Sequence, residues 1–112
     1  ELVPEAVLNA WTQRGFPEGD NRRGLVFDKP ALEPDSGPTC DLASWESFGH
    51  TGFTGTVVWV DPAYDLVYVF LSNRTYPDAS NTRLLRLDTR TEIQRVLLEH
   101  LGATSRFSGV HE

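Results

Sequence analysis

One cysteine, one lysine and no apolar run of membrane-spanning length are what this 112-residue chain has to offer three large classes of chemistry. Cys40 alone cannot close an internal disulfide. With no histidine or basic residue beside it in sequence, it reads as an inert or exposed thiol rather than a nucleophile. His50, His100 and His111 match no metal-ligand spacing, so no metal and no other cofactor is expected. A spanning helix needs about 18 or more consecutive apolar residues, and none occur, nor do the first residues carry a basic or apolar signal segment. Glu1 in place of an initiator methionine reads as trimming. A net charge of −6 with a pI near 4.9 leaves no basic face to displace counterions, which argues against nucleic acid. The acidity calls for no partner of its own, because it serves solubility.

The length bounds the chain to one domain, 1–112, and the apolar share of 39% predicts a small core. The stretch that organises it is 47–55, where Gly49, Gly52 and Gly55 punctuate a polar turn leading into Thr56-Val57-Val58-Trp59-Val60. Glycines let backbone approach a ligand, and the β-branched and aromatic residues that follow build a strand to hold the turn. Two readings stand side by side. Either His50, Thr51 and the backbone after Gly52 line a site, or this is an ordinary loop-to-strand entry with glycines for tight packing.

Along the chain, Pro4 in a first turn with Val7, Leu8 and Trp11 on one side predicts a short helix ended by Gly15. Arg22 and Arg23 are anion ligands or, more simply, surface pairing partners. Residues 24–28 form a first strand stopped by Lys29-Pro30. Residues 30–44 have loop composition, either disordered or lining a site, with Trp45 and Phe48 anchoring the far end in the core. Strands at 53–60 and 66–72 make a hairpin about Pro62. In the second strand Leu66, Tyr68 and Phe70 face one way, and Val67, Val69 and Leu71 the other, so both faces need cover. That predicts an absent layer or self-association as a homo-oligomer. Asn73-Arg74-Thr75 has the form of a glycosylation acceptor, a triplet common by chance. Thr89-x-x-Glu92 reads as a capping box opening a helix that buries Ile93, Val96, Leu97 and Leu101, at roughly 1.5 to 3 kcal/mol each, and stops at Gly102. Residues 106–112 read as a frayed tail.

Gly49-His50-Thr51-Gly52 before a strand resembles the third motif, Lys/His-Thr/Ser-Gly, of the serine β-lactamase-like and penicillin-binding-protein superfamily, in the form associated with its carboxypeptidase and esterase branches. Asn21-Arg22-Arg23-Gly24-Leu25-Val26-Phe27-Asp28 stands where such proteins carry a Gly-Leu-Gly-Trp-like strand. Val58-Trp59-Val60-Asp61-Pro62 and the stretch 69–74 resemble the two strands that follow the motif. The likeness covers most of the chain but only the last part of such an enzyme. It implies an α+β fold, an antiparallel sheet of three or more strands with a C-terminal helix packed on it, and a bacterial periplasmic or secreted location.

In such serine hydrolases a serine attacks an amide or ester carbonyl and water releases the acyl-enzyme. The resemblance implies that His50 sits near the nucleophile and Thr51 binds the substrate's carboxylate or carbonyl. It makes the Phe53 backbone N–H one of two oxyanion donors, with Gly52 and Thr54 beside the substrate. Losing one such donor costs an enzyme about 3 kcal/mol of transition-state binding. Histidine changes charge near neutrality, so the charge of His50 stays open. The nucleophile motif Ser-x-x-Lys is absent, since no serine is followed three residues on by Lys29, the one lysine. Tyr64, Tyr68 and Tyr76 also fail the Tyr-x-Asn spacing of the second motif. The expectation is a C-terminal segment inactive without the N-terminal part of its parent. The competing readings are a non-catalytic binding module and an interaction domain docking through its apolar sheet.

Overall fold

Alternating apolar residues with a proline turn between them make the hairpin at the centre of the molecule. The computed structural model describes residues 2–13, 24, 26–86 and 88–108. In it the helix α1 (Glu5–Thr12) precedes the strands β1 (Phe48–Thr51), β2 (Val57–Asp61) and β3 (Leu66–Phe70), followed by the helices α2 (Arg83–Arg86) and α3 (Thr89–His100). The strands form one antiparallel sheet in the order β1-β2-β3. Between β2 and β3 lies a 3-10 turn, Pro62–Tyr64. The Asp61 carboxylate accepts from the Ala63 amide at 3.2 Å and Asp65 takes the left-handed conformation, φ 50°. The same buried carboxylate accepts from the Ser44 amide at 2.9 Å and the Ser44 hydroxyl at 2.6 Å, fastening the preceding loop to the hairpin.

The period of two in β3 holds. Tyr68 is buried with Val57 and Trp59, and Phe70 packs against them. Val67 and Val69 on the opposite face stay 63% and 52% exposed. Tyr68 Oη donates to the Arg90 carbonyl at 2.8 Å, and Arg90 Nη1 donates to the Thr56 carbonyl at 2.8 Å, so the start of α3 is tied to the covered face.

Several expectations change. The motif stretch is not one turn: residues 48–51 are themselves strand β1, and the turn is confined to 52–55 before β2 begins at Val57. The strand expected at 24–28 reduces, within the described residues, to one bridge between Asp28 and Gly49; Leu25 lies outside them, as do Gly15, Arg22 and Arg23. Residues 30–44 have no helix or strand, yet Pro30, Ala31, Thr39, Cys40 and Ala43 are buried. Cys40 and Ala43 pack on Leu98 of α3, with Tyr64 and Leu66 beside them. Trp45 and Phe48 are boundary rather than core residues. Trp45 sets its ring edge-on to Phe107 at 5.3 Å, and Phe48 meets Phe27 at 5.2 Å.

The last helix turns its other side inward. Asp88, not Thr89, is the N-cap residue, in the left-handed conformation and without a side-chain cap bond. The Thr89 capping box therefore does not form. The buried residues of α3 are Thr91, Gln94 and Leu98, while Ile93, Val96, Leu97 and Leu101 are exposed. The physical reason is polar: the loop backbone at Cys40 needs an acceptor, and Gln94 Oε1 supplies it at 3.0 Å from the buried amide. Gly102, φ 79°, ends the helix as expected. The tail is pinned rather than frayed at its start. Arg106 is buried, its Nη1 donating to the Cys40 carbonyl and Nη2 to the Ala31 carbonyl, both at 2.9 Å; residues 109–112 lie outside the described residues.

The reversed face of α3 is testable. Leu98→Ala should lower unfolding stability by about 2–5 kcal/mol in urea titrations, and Val96→Ala by less than about 0.5 kcal/mol. The opposite ranking would restore the stripe read from sequence.

Candidate active-site edge

Glycine makes β1 what it is. A Cβ at Gly49 would collide with the Val58 carbonyl oxygen and come within 2.5 Å of Trp59 Cε3, so only glycine lets β1 lie against the buried Trp59. Gly49 exchanges both backbone bonds with Asp28, at 2.8 and 3.0 Å, so its amide and carbonyl face away from β2. By the alternation of an antiparallel ladder those of Thr51 face the same outer edge. The His50 ring folds back over that edge, with Nδ1 2.7 Å from the Thr51 carbonyl oxygen. A carbonyl only accepts, so Nδ1 carries the hydrogen, and in the neutral ring Nε2 is the acceptor nitrogen.

The register separates the two motif side chains. His50 pairs with Val58, and Val58 with Val69, on the uncovered face; Thr51 pairs with Val57, and Val57 with Phe70, on the covered one. His50 is exposed and Thr51 half-buried. Gly52 donates its amide to the Thr56 carbonyl at 2.9 Å and accepts from the Gly55 amide at 3.0 Å, closing the turn in which Gly55 takes φ 100°. Among the described residues nothing accepts from the Phe53 amide. The Phe53 ring, 75% exposed, lies 4.5 Å from the Arg74 guanidinium. Thr54 is exposed, and its carbonyl accepts from the Arg74 amide at 2.8 Å.

Sequence reasoning missed the residues that hold this turn. Ser72 Oγ donates to the Gly55 carbonyl at 2.9 Å, and Arg74 both bonds and stacks on it. The available signal was a polar Ser-Asn-Arg triplet immediately after an apolar strand.

No described serine hydroxyl bonds to His50. Ser47 is buried and donates to the Ser44 carbonyl at 2.6 Å, and Ser44 donates to Asp61. Lys29 Nζ is engaged with the Glu46 carbonyl at 3.1 Å and lies 6.0 Å from the centre of the Phe48 ring. Burial raises the Cys40 thiol above its ordinary value, which the bonds from the Leu42 and Ala43 backbone only partly offset.

A family model described as Beta-lactamase matches residues 4–91. This chain belongs to that family. Proteins of Salmonella paratyphi B and Salmonella newport described as "Putative D-alanyl-D-alanine carboxypeptidase" are each 40% identical to it over 43 residues, 38% of the chain. The matched stretch spans 10% of those relatives' own length. No solved structure matches the chain significantly. The three-stranded antiparallel sheet with its helices agrees with a partial α+β domain of this family, and no described helix is long and apolar enough to cross a membrane.

The buried thiol gives a pH prediction. The unfolded chain ionises Cys40 as pH rises through the ordinary thiol range, while the folded chain keeps the proton. The stability from this group is therefore complete below that range and declines above it. Cys40 should resist a disulfide-exchange reagent at pH 8 in buffer and react at once in concentrated urea; Cys40→Ala should flatten the alkaline loss of stability.

Proposed function

We propose that this chain is the C-terminal segment of a β-lactamase-family serine hydrolase, contributing one wall of an acyl-transfer site whose attacking serine is carried by polypeptide beyond these 112 residues. One observation carries the reading: family membership coincides with the His50 ring of β1 and, three residues on in the turn that follows, a Phe53 amide without a described acceptor. In the reaction the serine adds to an amide or ester carbonyl, and its proton passes to a base. The oxygen becomes an anion, and the Phe53 N–H would be one of two donors to it. His50 would sit beside the nucleophile. Thr51 would hold the substrate's carboxylate or carbonyl, and Gly52 and Thr54 would flank it. The relatives' description favours a D-alanyl-D-alanine peptide as substrate, and family membership favours a periplasmic or secreted bacterial setting.

The 112-residue chain should turn over neither ester nor β-lactam reporters. A parent open reading frame should contain Ser-x-x-Lys upstream, and in that longer protein His50→Ala should lower kcat by about a hundredfold or more. Covalent labelling of any serine within these 112 residues by a penicillin or fluorophosphonate probe would overturn the proposal.

The open sheet face supports a second reading, a binding or self-association module. Val58, Val67, Val69 and Leu71 leave four apolar side chains uncovered, and a second copy could cover them. On this reading the chain sediments as a dimer, and Val67→Lys with Val69→Lys returns it to monomer. A wild-type monomer at high concentration would dismiss it.

A further inference from the structure

We propose that Arg106 is a positioning residue for the outer edge of β1, acting through two loop carbonyls that lie 66 and 75 residues away in sequence. The inference rests on the hydrolase reading only in treating that edge as part of a site. Its test reads amide exchange rather than turnover, so either can fail alone.

Two stretches of irregular backbone flank β1. The arm 28–31 begins at the bridge where Asp28 exchanges both backbone bonds with Gly49, and the arm 40–47 leads directly into Phe48. Neither belongs to the three-stranded sheet, so side chains do much to fix them. Close to the strand the arms are joined by Lys29 Nζ, which donates to the Glu46 carbonyl at 3.1 Å. At the far end one guanidinium spans both. Arg106 Nη2 donates to the Ala31 carbonyl, three residues beyond Asp28, and Nη1 donates to the Cys40 carbonyl, each at 2.9 Å.

The surroundings of Arg106 suit a clasp rather than a solvated charge. The residue is buried, its guanidinium carbon lies 5.1 Å from the centre of the Trp45 ring and 4.7 Å from that of Phe107, and the Asp41 carboxylate is 4.0 Å away. Its backbone grips the same loop. The Arg106 amide donates to the Asp41 carbonyl at 2.9 Å, and its carbonyl accepts from Trp45 Nε1 at 3.0 Å. A planar fork can bridge two carbonyls and lie against aromatic rings at once, which a compact ammonium cannot.

The consequence falls on β1. The outward amide and carbonyl of Gly49 are occupied because Asp28 is held in place, and for that reason the open part of the edge starts at Thr51, where the His50 ring turns back. Freed at their far ends, the arms would hold Asp28 less tightly, and the open edge would reach back to Gly49. Arg106 therefore sets where the edge begins without touching it.

The test is hydrogen exchange followed by NMR on the 112-residue chain. Arg106→Ala should speed exchange of the Asp28 and Gly49 amides at least about tenfold beyond any change in the β2–β3 ladder, and should shift the His50 ring signals. Methylguanidinium at millimolar concentration should restore the protection by filling the vacated slot, and methylammonium at equal ionic strength should not. Phe70→Ala, which weakens the sheet away from the arms, should speed both ladders together. Trp45→Phe, at a position 40% exposed, removes only the indole bond to the Arg106 carbonyl and should speed the same two amides about threefold; it decides the matter if Arg106→Ala does not fold. Unchanged exchange at Asp28 and Gly49 in either folded variant, acceleration spread equally over all three strands, or equal rescue by the two cations or by neither would each overturn the assignment.

Discussion

The close approach of Gly49 to Trp59 is the constraint on which the rest depends. Trp59 is nearly free of solvent contact and anchors the covered face of the sheet, and β1 can pair with β2 only because the residue over the indole has no side chain. Once β1 is seated there, its register is fixed. A slip of one residue would send His50 to the covered face and Thr51 to the open one. The Asp28 bridge then uses Gly49's outward backbone groups, so the free part of the edge begins at Thr51, where the His50 ring turns back. Packing at one glycine thereby decides which side chain of the motif meets solvent.

The two faces of the sheet meet different fates. The covered face is closed by Val57, Trp59, Tyr68 and Phe70, and by a helix that enters with a glutamine and a threonine as much as with leucine. Gln94 looks misplaced against a core until the loop at 30–44 is considered. That loop has no ladder to satisfy its backbone, so side chains from distant helical and C-terminal positions do so: Gln94 for the Cys40 amide, Arg106 for the Cys40 and Ala31 carbonyls. Irregular backbone can be buried only when such partners reach it. The inward polar side of α3 and its outward apolar stripe are one consequence of that requirement.

This also explains what could be read from the sequence. The hairpin, its proline turn, the alternation in β3 and the Gly102 stop depend on neighbours within a few residues, and each appears where local chemistry puts it. The orientation of α3 and the burial of Arg106 depend on partners 54 to 75 residues away, which no periodicity reveals. β1 was hidden for a related reason. Two of its flanking glycines suggest a turn, and only the partner strand, with Trp59 opposite Gly49, shows why a glycine belongs in a strand there. The motif residues were legible as a group. That His50 and Thr51 look to opposite faces, and that Ser72 and Arg74 hold the turn after them, needed the ladder.

An acyl-transfer site asks for a nucleophile that is activated and for donors that do not move as charge develops. In the proposed hydrolase the described residues would answer the second demand, and among them none answers the first. The turn at 52–55 is closed by its own backbone, bonded from Ser72 and Arg74, and carried by a strand that cannot shift register, which is the rigidity that makes an N–H effective toward a developing anion. Ser47 and Ser72 donate to carbonyls, Ser44 to Asp61 and Ser80 to Asp78, and the one lysine is engaged at the Glu46 carbonyl. A hydroxyl already donating to a fixed acceptor is a poor candidate for deprotonation by His50, and the proposed hydrolase would take its attacking oxygen from other polypeptide. In the proposed hydrolase such a separation of the donor wall from the reactive group would be workable because the wall needs only backbone held in place, and a glycine-seated edge strand provides that without knowledge of its reaction partner.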